Sequence, residues 1–434
     1  MGLQIVQHDP RWSEWFEAER QRLARALGAA AIRIEHHGST AVPGLAAKPI
    51  IDIQISVARL HPMDGYAQAL ASLGYTHVPH PDDERCPFFH RPDEWPHSHH
   101  VHVVQTGSDE ERRTLAFRDY LRTHPAAARE YEALKRKLAA ELVGADAASR
   151  ERYAHAKRDF VERIVARASI EAHYNEYAEE HRLEAGAFKL ELERTKEILA
   201  RHLPPPPARI VDVGGAAGAY SLWLAQLGYE VHLVDASARL VEEARRRSAG
   251  ASHRLASAEV GDARGLPQRD ATAQVVLVMG PLYHLTSRDD RLGALREAWR
   301  ILAPGGFVAV AAISRCASAL AGLAANTSLD PAFVAIRDRD LVDGQHRNDT
   351  GNLNYFTTAY FHQPDELREE MIAAGFDQAR VVGVEGPAWM LSDFDARWSD
   401  PAQRHVILDT ARVLENQPSV VGVSAHLLGL GWKP

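Results

Sequence analysis

Cysteine is nearly absent: Cys86 and Cys316 are the only two in 434 residues, too few for a disulfide framework and too far apart for a Cys-x-x-Cys zinc or redox pair. Any metal chemistry would fall to histidine and carboxylate. Long apolar runs are missing as well. A membrane helix needs about 18 uninterrupted apolar residues, and the longest candidate here, 307–325, is cut by Ser314 and Arg315. No membrane partner is expected. Residues 1–12 lack a basic start followed by an apolar stretch, and Val6 stands where a myristoylation signal needs Ser or Thr. The expected location is therefore the cytoplasm. A surplus of positive charge is absent too: residues 1–168 hold 23 Lys+Arg against 23 Asp+Glu, and the remainder 27 against 35, which carries the whole net charge of −8. Neither part has the basic footprint of a nucleic-acid binder, so none is expected as a partner. No internal repeat recurs, and Pro204 to Pro207 is the one low-complexity tract.

What is present is an ordinary globular composition, 45% apolar and 25% charged, in a chain long enough for two domains. The boundary is read near residue 170, giving domains 1–168 and 169–434. Both are expected to be α/β in class. Histidine is unevenly spread, with 13 of 23 in the first 168 residues. That is where unusual chemistry is sought.

In the first domain a helix is predicted over 12–27, then strands over 32–34 and 50–57 around Gly38, Pro43 and Gly44. Helices follow over 109–122, with Asp109 as cap, 125–142 and 147–168, covering one face of the sheet. In the second domain a helix over 170–202 ends at the proline tract. A regular alternation follows: strands 209–213, 230–234, 274–279 and 307–313, with helices 217–227, 238–247 and 289–302 between them. Such alternation predicts a parallel sheet with right-handed crossovers. A helix over 365–374 and strands within 380–384 and 420–432 complete it, and His426 is placed to point at the site.

The second domain carries the more specific motif series. Asp212-Val213-Gly214-Gly215-Ala216-Ala217-Gly218 joins a strand to a helix, where glycines admit a ligand close to the backbone. Asp235, followed by Ala236, ends the next strand, where an acidic side chain accepts from ribose hydroxyls. Gly261-Asp262-Ala263, then Met279 with Gly280-Pro281-Leu282-Tyr283-His284-Leu285, and Leu302-Ala303-Pro304-Gly305-Gly306 complete the series. Over about 170–434 this resembles the class I S-adenosylmethionine-dependent methyltransferases, which implies a Rossmann-like fold with a mostly parallel seven-stranded sheet. The resemblance implies that Gly214, Gly215 and Gly218 line the methionine part of S-adenosylmethionine beside Asp212, that Asp235 holds the ribose, and that Asp262 meets the adenine with Ala263 and Met279 nearby. Ala216 adds a methyl where the family has glycine, so an adjusted loop is expected. Methyl transfer needs proximity and dryness more than acid or base. Tyr283 and His284 are the catalytic candidates by position, or else an aromatic wall. Residues 314–362 are far longer than an ordinary connection and predict a lid. Its run Tyr355 to His362 offers Tyr355 to the acceptor, or else forms lid core.

In the first domain, His36-His37-Gly38-Ser39-Thr40-Ala41-Val42-Pro43-Gly44-Leu45-Ala46-Ala47-Lys48-Pro49-Ile50-Ile51-Asp52, His99-His100-Val101-His102 and Phe117-Arg118-Asp119-Tyr120 closely resemble the GrpB family over about 3–168. The resemblance implies a nucleotidyltransferase-like α+β fold. Gly38, Ser39 and Thr40 offer N–H groups and hydroxyls to a phosphate, and Lys48 adds charge; equally, Ser39 or Thr40 caps a turn. Nucleotidyl transfer places two carboxylates two residues apart to clamp metals. Asp52 is present, but position 54 is Gln, which puts two-metal catalysis in doubt; the cofactors such a domain would use are a divalent metal and a nucleoside triphosphate. His100 and His102 alternate onto one strand face and could join Asp52 around one ion, or simply hydrogen-bond. Three readings remain: a methyltransferase fused to a domain that binds or modifies the same small-molecule substrate; a non-catalytic first domain that delivers substrate or forms a homodimer; and an S-adenosylmethionine sensor without turnover.

Overall fold

Alternation of apolar and polar residues builds the first sheet. Along β2 (Ile51–Val57) the side chains of Ile51, Ile53 and Ile55 are all buried on one face, while Asp52, Gln54 and Ser56 point to the other. The computed structural model describes residues 4–141, 147–176 and 179–434. It divides into two units, Met1–Ser169 and Ile170–Pro434.

The first unit holds β1 (Arg33–His37), β2, β3 (Thr76–His77), β4 (Phe88–Arg91) and β5 (His99–Gln105), in the order β1-β2-β5-β4-β3. Only β2 and β5 run parallel. On the apolar face lies the helix Arg11–Leu27, whose Trp12, Leu23 and Leu27 join Ile53, Ile55, Phe89, Val101 and Val103 in one core. The polar face is covered by the helix Asp109–Thr123, tied down where Arg118 bonds Glu35 at 2.8 Å and Arg33 bonds Glu111 at 2.5 Å. Asp109 is not the cap of that helix: Ser108, in extended conformation, accepts from the Glu111 N–H. The expected helix over 147–168 is two, Ala147–His155 and Arg158–Glu176, because the Lys157 N–H turns back to the Ala154 carbonyl in a tighter turn. Leu142, the expected end of the preceding helix Pro125–Glu141, lies outside the described residues.

The second unit contains β6 (Arg209–Val213), β7 (Glu230–Asp235), β8 (Ser257–Val260), β9 (Ala273–Val278), β10 (Leu302–Ser314), β11 (Gln345–His346), β12 (Ala359–His362), β13 (Asp377–Gly383) and β14 (His426–Trp432). Seven of these form the Rossmann-like sheet in the order β8-β7-β6-β9-β10-β14-β13, parallel except for β14, with β12 and β11 added beside the end of β10. Continuous apolar runs explain the central strands: Val275, Val276 and Leu277 are wholly buried because helices cover both faces. Residues 314–362 are thus more than a lid, since β12 extends the sheet, while the helices Ala317–Ala324 and Pro331–Asp343 form the insertion proper. The single helix expected over 170–202 is also broken. It ends at Glu176 and resumes at Phe188–Ala200 after Gly186, whose φ of +50° leaves the helical region; residues 177–178 lie outside the described set.

Candidate functional site

In the second unit the carboxyl ends of β6, β7 and β9 are stitched together by backbone bonds. The Gly214 N–H donates to the Val234 carbonyl at 2.7 Å and the Met279 N–H to the Val213 carbonyl at 2.9 Å. Gly214 adopts φ +77°, and a Cβ there would lie 2.3 Å from Pro281 Cδ, so only glycine lets the loop after β6 pass against the loop after β9. Gly218, at φ +86°, opens the helix Ala219–Gln226, while Gly215 packs on Asp212 and Leu233. Ala216, where the motif has glycine more often, takes φ +47°, so the loop keeps a left-handed residue there despite the added methyl.

Asp235 fixes this loop. Its Oδ2 accepts from the Ala216 N–H at 2.9 Å and its Oδ1 from the Ser237 N–H at 2.8 Å. Burial raises its pKa against the effect of those two donors. Asp212 is completely buried: Ser221 Oγ donates to Oδ2 at 2.6 Å, and Oδ1 has no partner. Burial pushes this carboxyl up to about 6. An unpartnered carboxylate oxygen under a glycine loop, with a second carboxylate at the next strand end, suits a ligand bearing an ammonium and a ribose, as S-adenosylmethionine does. Asp262 is exposed and ion-paired with Arg264 at 2.6 Å, beside buried Ala263; Ala236 is exposed and Met279 half-buried.

Above the β9 end stand Tyr283 and His284 on a short helix, Pro281–His284. The structure brings a residue to them that sequence reading missed: Tyr174, whose hydroxyl lies 2.7 Å from His284 Nε2. His284 Nδ1 faces the Thr358 carbonyl at 3.5 Å, so the proton sits on Nδ1 and Nε2 accepts from Tyr174. Burial depresses this imidazole to about 4, and it is neutral at physiological pH. Phe356 leans over it with ring centroids 6.1 Å apart, and His173 abuts Phe356 at 5.3 Å. Tyr355 is not part of this group: its hydroxyl bonds Asp330 at 2.5 Å and its ring packs on Phe333, inside the insertion. Sequence pattern could have singled out neither Tyr174 nor Phe356, because only the fold brings the end of the helix Arg158–Glu176 and the insertion to His284.

In the first unit, β-sheet register aligns His37, Asp52, His100 and His90 across four strands. Asp52 Oδ1 lies 3.2 Å from His100 Nδ1. Burial raises the Asp52 carboxyl, but the His100 hydrogen bond and the charges of His100, His37 and His102 hold it below the usual carboxylate range. Gly38, at φ +68°, leaves room for that carboxylate: a Cβ would lie 2.4 Å from Asp52 Oδ2. His102 contacts Cys86 Sγ at 3.7 Å and is driven down to about 4 by burial. Thr40 is buried, donating to the Ile50 carbonyl and lying 3.0 Å from His36 Nε2, so it fastens the turn; Ser39 beside it is half-buried. Lys48 Nζ sits 4.0 Å from the Tyr153 ring centroid, with Lys157 4.5 Å from the same ring. Of the face's other acids, Glu35 stands in register beside Gln54 but is bound by Arg118. Among the described residues, this face therefore offers no second free carboxylate beside Asp52 for a two-metal clamp.

Comparison with known proteins separates the same two parts. Residues 2–167 match the family model described as GrpB protein, and residues 210–306 the one described as methyltransferase domain. A UPF0157 protein of Halalkalibacterium halodurans is 37% identical over 169 residues, covering 39% of this chain and 83% of its own. Another, from Bacillus subtilis, is 37% identical over 139 residues, 32% of this chain, and the chain spans only 40% of its length. Among solved structures, a Thermotoga maritima S-adenosylmethionine-dependent methyltransferase, described as a possible histamine N-methyltransferase, is 23% identical with a TM-score of 0.40, covering 61% of this chain and 98% of its own.

Proposed function

The chain belongs to the GrpB family through residues 2–167 and carries an S-adenosylmethionine-dependent methyltransferase domain in its second part; we propose that it methylates a small-molecule acceptor which the GrpB domain binds. The observation that carries this reading is the doubly bonded Asp235 at the head of β7, next to the left-handed glycine loop and the unpartnered oxygen of Asp212. Asp235 would meet the ribose, Asp212 the ammonium and Asp262 the adenine. The bound sulfonium supplies an electrophilic methyl group. This chain's residues then have to orient the acceptor and exclude water, and the Tyr174–His284 bond with Phe356 above it closes the site on the insertion's side. Incubating the full chain with labelled methyl donor and a metabolite extract tests the reading: a labelled small molecule is expected, and absence of any transfer would leave only the sensor alternative.

For the GrpB domain a binding role is favoured over nucleotidyl transfer, because position 54 is Gln, Glu35 is engaged by Arg118, and Asp52 is itself bonded to His100. Lys48 and Lys157 concentrate positive charge near the Gly38-Ser39-Thr40 turn's following loop and suit an anionic group on the substrate. The Asp52→Asn variant distinguishes the alternatives, as an amide keeps hydrogen bonds but holds a divalent cation poorly. Metal-free wild type without turnover of any nucleoside triphosphate is the expected outcome. Bound metal and nucleotide turnover, both lost in the variant, would establish the catalytic version.

A further inference from the structure

A second histidine stands at the same edge of the methyltransferase sheet, and its surroundings differ from those of His284. His426 begins β14 and pairs with Ile313, three residues past Val310, the partner of Val278 at the end of β9, so it stands two strands across, about 10 Å, and about 10 Å further along the strand direction from that end. Its Nδ1 lies 2.5 Å from Glu385 Oε1. Glu385 is 2% exposed and follows β13; its other oxygen accepts from Ser424 Oγ at 2.6 Å and from the His426 N–H at 3.1 Å. The carboxylate is thus saturated and locks the imidazole with its proton on Nδ1. Nε2 is left pointing away from Glu385, with no partner among the described residues and with the side chain 19% exposed.

Glu191, from the helix Phe188–Ala200, brings a second carboxylate to 3.6 Å from the same ring and is itself held by Arg182 at 2.6 Å. Burial raises the phenol of Tyr220, two residues past Gly218, and the charges of Glu191 and Glu385 add to that. Donor atoms of Glu191, Glu385 and His426 lie within 4.8 Å of one another. A cation is not needed there, since Arg182, Ser424 and the His426 N–H already satisfy the two carboxylates.

We propose, resting on the methyltransferase reading above, that His426 is the general base of the reaction, oriented by Glu385, and that the acceptor is a protonated primary or secondary amine. His284 cannot fill that role while both its nitrogens are engaged, whereas His426 has an accepting Nε2 and a buried carboxylate behind it, the arrangement that activates a base. An ammonium has no lone pair. Its N–H proton passes to His426 Nε2, the freed lone pair bonds to the methyl carbon, and the carbon–sulfur bond breaks with its electrons left on sulfur. Glu385 offsets the imidazolium, and because Glu191 is paired with Arg182 the group keeps one net negative charge, which favours a cationic acceptor over a neutral one. Burial alone would lower the His426 pKa, but Glu191 and Glu385 reverse this and hold it above the ordinary histidine value against the nearby Arg182.

The test uses the full chain, labelled methyl donor and a metabolite extract, with His426→Gln and Glu385→Gln beside wild type. The expected product is an N-methylated amine. His426→Gln should lower turnover about 100- to 10,000-fold while S-adenosylhomocysteine binds unchanged. The His426 ring should titrate by NMR, and Glu385→Gln should move that titration and the rising limb of the pH–rate profile to lower pH, which loss of a merely structural contact would not do. A product methylated at carbon or thioether sulfur, near-normal turnover in His426→Gln, or a His426 titration untouched by Glu385→Gln would overturn the proposal. If wild type transfers no label at all, the methyltransferase reading itself falls.

Discussion

Asp212 shows how burial sets the properties of a side chain in the proposed cofactor site. Burial holds its carboxyl at about 6 instead of the ordinary 3.8, so the folded state resists ionising it. Above pH 6 the group is charged whether folded or unfolded, and that resistance costs about 3 kcal/mol. Below 3.8 it is protonated in both states and the cost vanishes. Asp212→Asn should therefore unfold at higher urea concentration than wild type at neutral pH, and the difference should close as pH falls through this window. A variant less stable than wild type at neutral pH would contradict the assignment. Gly214 is constrained from the opposite side. At φ +77°, with Pro281 Cδ 2.3 Å from any added Cβ, Gly214→Ala should cost about 2–4 kcal/mol from left-handed strain and overlap together, read by the same unfolding measurement. Both residues were identifiable in the sequence, because the glycine turn between an apolar strand and a helix is followed by an acidic residue, Asp235, at the end of the next strand. The Tyr174–His284 and Glu385–His426 bonds were not, since each joins residues distant in sequence that only strand order brings together.

Among the elements, β6, β7, β9 and β10 were legible from apolar runs at regular spacing, and the helices between them from their period. β8 was passed over. Its four residues, Ser257–Val260, sit at the sheet edge and carry too little hydrophobic pattern to be read as a strand. The insertion was visible only as excess length, because its attachment depends on a tertiary contact. Gly344, at φ +74°, closes the helix Pro331–Asp343 onto β12, and a Cβ there would lie 2.5 Å from the Phe361 carbonyl and 2.6 Å from Arg315 Nη2. Gly344→Ala should loosen this joint, so amide exchange in β12 should quicken while that in β6 and β9 stays slow. Unchanged exchange in β12 would mean that the insertion is anchored elsewhere. In the first unit the strand pair around Gly38 was readable from the motif, but the polar face of the sheet was not. Glu35 and Gln54 become neighbours only through the β1–β2 register.

For the whole molecule, two units with different charge balance carry two different relationships, a GrpB family membership and a methyltransferase domain. The sequence motifs located both. What they left open, the role of the first unit, turns on a single departure, Gln54, and on which carboxylates the helix Asp109–Thr123 already engages through Arg118. The proposed function requires that Asp235 and the loop it holds form the cofactor site of the second unit. Titration calorimetry of S-adenosylhomocysteine into the full chain tests it most directly. One site per chain is predicted, and Asp235→Ala should weaken it by one charge-assisted hydrogen bond or more, about 1.5–3 kcal/mol or roughly 10- to 150-fold. No binding heat, or an affinity unchanged by Asp235→Ala, would contradict it.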